Sequence, residues 1–420
     1  MDNSIIYLDM QGLADFSASD SDTLTGSCYE WENEKVYHIH PVELTHQFGR
    51  RSDVIITKGD LPSAQATKGL KFAVKVGPDL EAGACVYENA GEEWAPRTFL
   101  PICTKDDLFS RSGNGLLEQD AIAGKQVLVV GLGSGGSDIA LELAKTGVNV
   151  SLIDYQRLET HNIVRHAGGI KDLGRLKTDV VKDLILEKNP YAQVDTFPVD
   201  INENLSLLYD EVEKADLVIV ATDENESRVN AQKALVEKGK IGIFGRAITR
   251  AEGGDVFIYR PDGPCYCCAI GADAFAAEEI TDETSARRNG IIPAYMSADD
   301  ARNMVQVGLS SDIRPINNMV TKLALFELTK GTECALASLE EDFKYPLYVW
   351  ANRREVNFAN WHPFYQAGPQ KTIMRWYGVN LPKDEGCPIC SDGPISLDVG
   401  EDVESLLPNM EYIETPPVFD

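Results

Sequence analysis

Four cysteines fall in two C-x-x-C knuckles, Cys265-Tyr266-Cys267-Cys268 and Cys387-Pro388-Ile389-Cys390. Four thiolates so spaced suit a tetrahedral zinc, and a closed set leaves no open position for catalysis. Cys265, Cys268, Cys387 and Cys390 are therefore expected to form a structural zinc site that ties a distant segment back to its domain. Reduced, unliganded thiols are the alternative. A second chemical cluster is Gly131-Leu132-Gly133-Ser134-Gly135-Gly136, in which Gly131, Gly133 and Gly136 fit G-x-G-x-x-G. Glycines let a backbone turn tightly against phosphates, and a helix N-terminus adds free N–H groups and a positive dipole. Asp154 follows at the place where an acidic residue binds ribose hydroxyls. Together these predict an adenosine or dinucleotide site without separating NAD from ATP.

The elements around these residues alternate. Gln126 to Val130 reads as a buried parallel strand, Gly135 to Thr146 as a helix and Asn149 to Ile153 as a strand. Asp179 to Lys188 reads as a helix stopped by Asn189-Pro190. Further strands are expected at Val194 to Pro198, Asp216 to Ala221 and Ile241 to Phe244, with a helix over Glu226 to Glu237. Such alternation predicts an α/β fold, a Rossmann-like doubly wound, mostly parallel sheet. Gly271 to Ser297 reads as a polar crossover, Pro315 to Leu328 as an apolar helix and Pro346 to Trp350 as a strand. Residues 1–115 alternate short apolar runs with turns and are expected to form a smaller α+β or mostly β domain. The main domain is placed at 116–395, and 396–420 is expected to be an acidic, flexible tail.

The bulk composition narrows the partners. The chain has 420 residues with 43% hydrophobic and 25% charged, which suits a soluble protein of two or three domains. Its formal net charge of −27 repels phosphate backbones and anionic lipid, so neither nucleic acid nor membrane is expected as a partner. A nucleotide site must then carry its own cations. Met1 to Gln11 has no basic stretch followed by a long apolar run, and the paired cysteines suit a reducing compartment; a cytoplasmic protein is expected.

Downstream of Asp154 stand Asn162-Ile163-Val164-Arg165, then Gly174-Arg175-Leu176-Lys177, then Asp223 after a strand. At these residues the chain resembles the ThiF-type family of ubiquitin-activating enzymes and sulfur-carrier adenylyltransferases, over roughly Gly124 to Cys268 and again at Cys387. Ile163 replaces the leucine usual there, and Cys267 stands where arginine is common. The resemblance implies ATP-dependent adenylation of the C-terminal carboxylate of a ubiquitin-like or sulfur-carrier protein, releasing pyrophosphate. It assigns Asp154 to the ribose, Asn162, Arg165 and Lys177 to phosphates, and Asp223 to Mg²⁺. That chemistry is reasonable. Attack on the α-phosphorus builds negative charge that preorganised cations offset. Arg165 brings a planar fork, Lys177 a point charge and Asp223 a hard oxygen ligand. Arg165, Lys177 and Asp223 are the candidate catalytic residues. A homodimer is also implied, and Arg111 resembles an arginine that homodimeric members extend into the neighbouring ATP site.

Each residue has a plainer reading. Asp223 would simply cap a helix, Arg165 pair with Glu159, and Lys177 or Arg111 lie on the surface. Family enzymes can pass the acyl group to a cysteine and on to a conjugating enzyme. Here Cys28, Cys85, Cys103, Cys267 and Cys334 lie outside the zinc set, a buried core role is the default for all five, and 271–310 holds none. Three alternatives remain open: adenylation of a ribosomal peptide recognised by the N-terminal domain, an NAD-dependent oxidoreductase, and a non-catalytic scaffold.

Overall fold

Alternation of apolar and polar residues builds the first 111 residues into a mixed sheet. Its strands are β1 (Ile5–Leu8), β2 (Thr23–Trp31), β3 (Val36–His40), β4 (Arg50–Thr57), β5 (Phe72–Val76), β6 (Ala84–Asn89), β7 (Trp94–Arg97) and β8 (Leu100–Pro101), with the order β7-β6-β5-β4-β2-β3-β1-β8. Helix α1 (Met10–Ala18) starts where Asp9 accepts the Gly12 N–H at 3.0 Å, an N-cap. Its Leu13 and Phe16 pack with Ile6, Leu8, Cys28, Ile39 and Val54 in one buried cluster. A short helix α2 (Lys105–Phe109) follows. The computed structural model describes residues 4–31, 34–43, 49–67, 69–77, 83–102, 105–113, 115–248, 251–270, 308–353 and 373–391. The chain divides into two compact units, Met1–Arg111 and Ser112–Asp420. The expected crossover at 271–297 and tail at 396–420 lie outside the described residues.

The second unit has its own sheet, made of β9 (Gln126–Val130), β10 (Asn149–Ile153), β11 (Val194–Phe197), β12 (Leu217–Val220), β13 (Ile241–Ala247), β14 (Gly253–Tyr259), β15 (Leu347–Ala351) and β16 (Arg375–Val379). The order is β11-β10-β9-β12-β13-β14-β15-β16. The first five strands are parallel and the last three antiparallel. A parallel sheet must be covered on both faces, which is why these strands read as continuous apolar runs. After α3 (Gln119–Ile122), the helices are α4 (Gly136–Ala144), α5 (Lys177–Lys188), α6 (Leu205–Lys214), α7 (Asn225–Lys238), α8 (Tyr266–Ile270) and α9 (Ser310–Leu328). Val127 and Val129 of β9 join Ile139, Val181 and Val320 on the face under α4, α5 and α9. Leu128 and Val130 join Leu208, Leu235 and Tyr266 on the face under α6, α7 and α8.

Because β10 and β12 flank β9, the loop after β9 opens at the switch point of the sheet, where doubly wound folds bind ligands. Helix α9 begins five residues before the expected Pro315 and carries that proline inside. A proline lacks the N–H that would bond the carbonyl four residues back, so one helical bond is missing, and flanking packing by Ile316 and Val320 holds the helix. No described helix is long and apolar enough to cross a membrane.

Candidate nucleotide site and cysteine cluster

The glycine loop closes on itself. Gly131 has φ +87°, a backbone region that side chains rarely tolerate, and a Cβ there would lie 2.9 Å from the Thr222 backbone nitrogen. A Cβ on Gly136 would lie 1.8 Å from the Gly131 carbonyl oxygen, so helix α4 can start this close to the loop only with glycine. Gly133 differs: a Cβ there meets nothing within 4 Å. Among the described residues, no group accepts the N–H of Gly133, Ser134 or Gly135. N–H groups without an acceptor at a helix start, beside the open space at Gly133, are a donor set that a phosphate fits.

Two side chains fix this loop. Asp154, buried at the end of β10, accepts the Leu132 N–H at 2.7 Å through Oδ2 and the Gln156 N–H at 2.8 Å through Oδ1. Each oxygen keeps a lone pair for a ribose hydroxyl. His166 Nε2 lies 3.0 Å from the Leu132 carbonyl, and His166 Nδ1 accepts the Gly168 N–H at 2.8 Å. Burial holds His166 down to about 4, with Lys177 adding to the effect, so the ring is neutral near pH 7 and donates through Nε2.

The expected cations and acid are spread around this loop. Lys177, first residue of α5, is 5% exposed, and its Nζ donates to Gln156 Oε1 at 2.5 Å. Among the described residues no carboxylate pairs with it. Arg165 lines a cavity of ≈ 140 Å³ together with Ser134 of the glycine loop and with Ser310, Arg314 and Asn317 of α9. Glu159, its proposed alternative partner, lies 3.4 Å from His161. Asn162 Oδ1 accepts the Glu159 N–H at 3.0 Å, which shapes the turn before Arg165 and leaves its amide N–H groups for a ligand. Asp223 is exposed on the loop after β12, next to Thr222 that packs on Gly131. It does not cap α7, whose N-cap is Glu224. Arg228 braces this loop by donating to the Thr222 carbonyl at 3.0 Å.

The four knuckle cysteines meet although residues 268 and 387 are far apart in the chain. The Sγ–Sγ distances are 3.7 Å for Cys265–Cys268, 3.4 Å for Cys265–Cys387 and 3.5 Å for Cys268–Cys390, and all four sulfurs lie within 4.8 Å of one another. Tetrahedral Zn–S bonds of about 2.3 Å require S···S of about 3.8 Å, so little adjustment is needed. The Cys265 sulfur and burial push the Cys387 thiol up, and burial with Cys268 pushes Cys390 up to about 12. A cation is what would let such a buried quartet ionise. The Asp384 N–H faces Cys268 Sγ at 3.5 Å.

The remaining cysteines divide. Cys28 and Cys267 are buried, and burial, opposed by Ser52, raises Cys28 to about 12. Cys85 and Cys334 depart from the buried expectation. Cys85 is exposed because the alternation of β6 puts it on the open face. Cys334 is half-buried before the 3-10 turn Ala335–Leu339; burial opposes its ionisation, but Thr329, Thr332 and the Leu336 and Ala337 N–H groups hold its thiol below the usual range. Cys103 lies outside the described residues. Arg111 is exposed at the end of the first unit. Gln156, His166, Arg314 and Asn317 had no assigned role in the sequence, because only the folded loops bring them to the glycine turn.

Comparison with known proteins adds an independent line. A model described as "ThiF family" matches residues 108–343. The adenylyltransferase and sulfurtransferase UBA4 of Eremothecium gossypii is 27% identical over 156 residues, 37% of this chain and 35% of that protein. Ubiquitin-like modifier-activating enzyme 5 of Caenorhabditis elegans is 27% identical over 189 residues, 43% of this chain and 45% of that protein. The chain thus spans less than half the length of these relatives. A solved structure of E. coli MccB with MccA aligns over 69% of this chain and 75% of its own, at 18% identity and a TM-score of 0.47.

Proposed function

Because the chain belongs to the ThiF family, we propose that it uses ATP to adenylate the C-terminal carboxylate of a ubiquitin-like or sulfur-carrier protein, with release of pyrophosphate. The carrying observation is the glycine loop. Its Gly133, Ser134 and Gly135 N–H groups have no acceptor among the described residues, the Asp154 carboxylate is bound to the same loop, and the Lys177 ammonium is buried with no described carboxylate paired to it; together these support the reading. In this reading Gly131, Gly133, Gly135 and Gly136 let the backbone meet the phosphates, and Asp154 takes the ribose hydroxyls. Asn162, Arg165 and Lys177 hold phosphate oxygens, and Asp223 holds Mg²⁺. The substrate carboxylate oxygen bonds to the α-phosphorus, the bond to the α–β bridging oxygen breaks, and its electron pair leaves on pyrophosphate. Magnesium, when bound, neutralises charge on the departing phosphates. Arg165 and Lys177 offset what remains and are preorganised before the reaction. Zinc at Cys265, Cys268, Cys387 and Cys390 is structural.

The relatives named for ubiquitin-like modifier activation and for adenylyl and sulfur transfer support the carrier-protein substrate. Residues 1–107 lie outside the family match, which favours a second reading of the same chemistry: a peptide substrate recognised by the first unit. ATP–pyrophosphate exchange with a panel of Gly-ended carriers and short peptides tests both. Exchange with a carrier is expected, and Asp223→Ala abolishes it. No exchange with any member, together with calorimetry showing NAD bound and ATP·Mg²⁺ refused, overturns the proposal.

A further inference from the structure

The cavity beside the glycine loop holds a second guanidinium. Arg314 stands in the second turn of α9 and lines the same ≈ 140 Å³ space as Arg165 and Ser134. Its side chain is 64% exposed, and its one charged contact among the described residues is Asp138 Oδ1, at a loose 3.9 Å. Asp138 sits in the first turn of α4, where it also accepts the Asn317 amide at 3.0 Å. Asn317 approaches the Ser134 carbonyl at 3.5 Å, which ties the start of α9 to the loop.

An acidic residue beside a phosphate site repels its ligand, and Arg314 offsets that acid and still faces the cavity. Two guanidinium groups and Ser134 of the glycine loop then line one small space, and Asp138 is the one carboxylate among its described lining residues. That balance suits a polyphosphate better than a lone carboxylate, because each planar fork can take a different phosphoryl group.

We propose that Arg314 binds the β- and γ-phosphates of ATP and holds the pyrophosphate as it leaves. This rests on the adenylation reading above. As the bond from the α-phosphorus to the bridging oxygen breaks, the electron pair moves onto the pyrophosphate, and Arg314 lies where that charge grows. Arg314 enters from α9, outside the expected set of Asn162, Arg165 and Lys177.

Calorimetry on the full chain tests this with three probes in the presence of Mg²⁺: ATP, AMP and inorganic pyrophosphate. Arg314→Gln should weaken ATP and pyrophosphate about tenfold and leave AMP within about twofold, with Arg314→Lys between the two. Asp138→Asn should act in the opposite direction and tighten pyrophosphate by about threefold, while its amide oxygen still accepts Asn317. ATP binding unchanged in Arg314→Gln overturns the inference and leaves the adenylation reading standing. Loss of AMP and ATP to the same extent, or weaker pyrophosphate binding in Asp138→Asn, assigns the pair a merely structural tie and also overturns it. A wild-type chain that binds neither ATP nor pyrophosphate overturns both readings.

Discussion

The Lys177 ammonium donates to the neutral amide of Gln156 at 2.5 Å, and among the described residues no carboxylate pairs with it. Gln156 is itself held beside the loop, because its N–H bonds the Asp154 carboxylate. A buried charge without a counter-charge is costly, and the cost is returned when an anion arrives. Lys177→Met is therefore expected to act with opposite signs on the two states. Without ligand it should stabilise the protein by about 1 kcal/mol, or raise the melting temperature by about 2–4 °C. ATP should give no further upward shift, whereas the wild type is expected to show one. Thermal melts with and without ATP·Mg²⁺ decide this, and a variant that melts lower in both conditions would mark Lys177 as a plain structural residue.

The glycines of the loop separate folding from binding. Gly136→Ala forces a Cβ to 1.8 Å from the Gly131 carbonyl, so helix and loop must part, and a loss of about 2–4 kcal/mol is expected. Gly133→Ala meets no protein atom within 4 Å and its φ is not in the left-handed region, so stability should change by less than about 0.5 kcal/mol. Its methyl group instead enters the space assigned to phosphates. Urea unfolding beside ATP calorimetry should show a stable Gly133→Ala protein with ATP affinity reduced more than about tenfold. Wild-type affinity in that variant would place the phosphates elsewhere.

The sheet of the second unit was legible because its rules are local. A run such as Val127 to Val130 buries both faces, and a glycine turn followed by a helix marks the switch point. The first unit was legible only as short strands. Beside local hairpins such as β5–β6 and β6–β7 it has parallel pairings, of β1 with both β3 and β8 and of β4 with β5, which no turn residue announces. At the site, Asp154 could be placed from its position after a strand, but its bond to Leu132 could not. The double use of Asn162 depends on the turn that brings the Glu159 N–H back onto it. The start of α9 at Ser310 was hidden by Pro315, a residue that usually marks a boundary.

The cysteine cluster makes a stoichiometric prediction. Elemental analysis of the purified chain should find one zinc, and Cys390→Ser should lose it. Cys267→Ser should keep it, because Cys267 stands outside the quartet. Stripping the metal should lower the melting temperature by about 5 °C or more, since the segment carrying Cys387 and Cys390 meets the domain through these sulfurs, the Asp384 N–H facing Cys268 and the apolar packing of Leu381 and Ile389. A metal-free protein with unchanged melting would leave four reduced thiols as the better account.

His166 gives the pH dependence. Burial holds its folded value at about 4, below the unfolded value of about 6.5. The unfolded chain therefore takes up a proton first as pH falls, and the folded chain resists. Stability from the neutral ring is fully present above about pH 6.5 and is lost as pH falls toward 4, by up to about 3 kcal/mol. Protonation would put an N–H at Nδ1 against the Gly168 N–H that it now accepts, so that bond is lost, while the donation from Nε2 to the Leu132 carbonyl is kept. Burial and the neighbouring His40 also lower His38 in the first unit to about 4, so the comparison belongs in a His38→Asn background. There, His166→Gln should flatten the loss of stability between pH 6.5 and 4.5 and keep a donor toward the Leu132 carbonyl. Equal slopes with and without His166 in urea unfolding would show that the ring is already solvated and does not brace the loop.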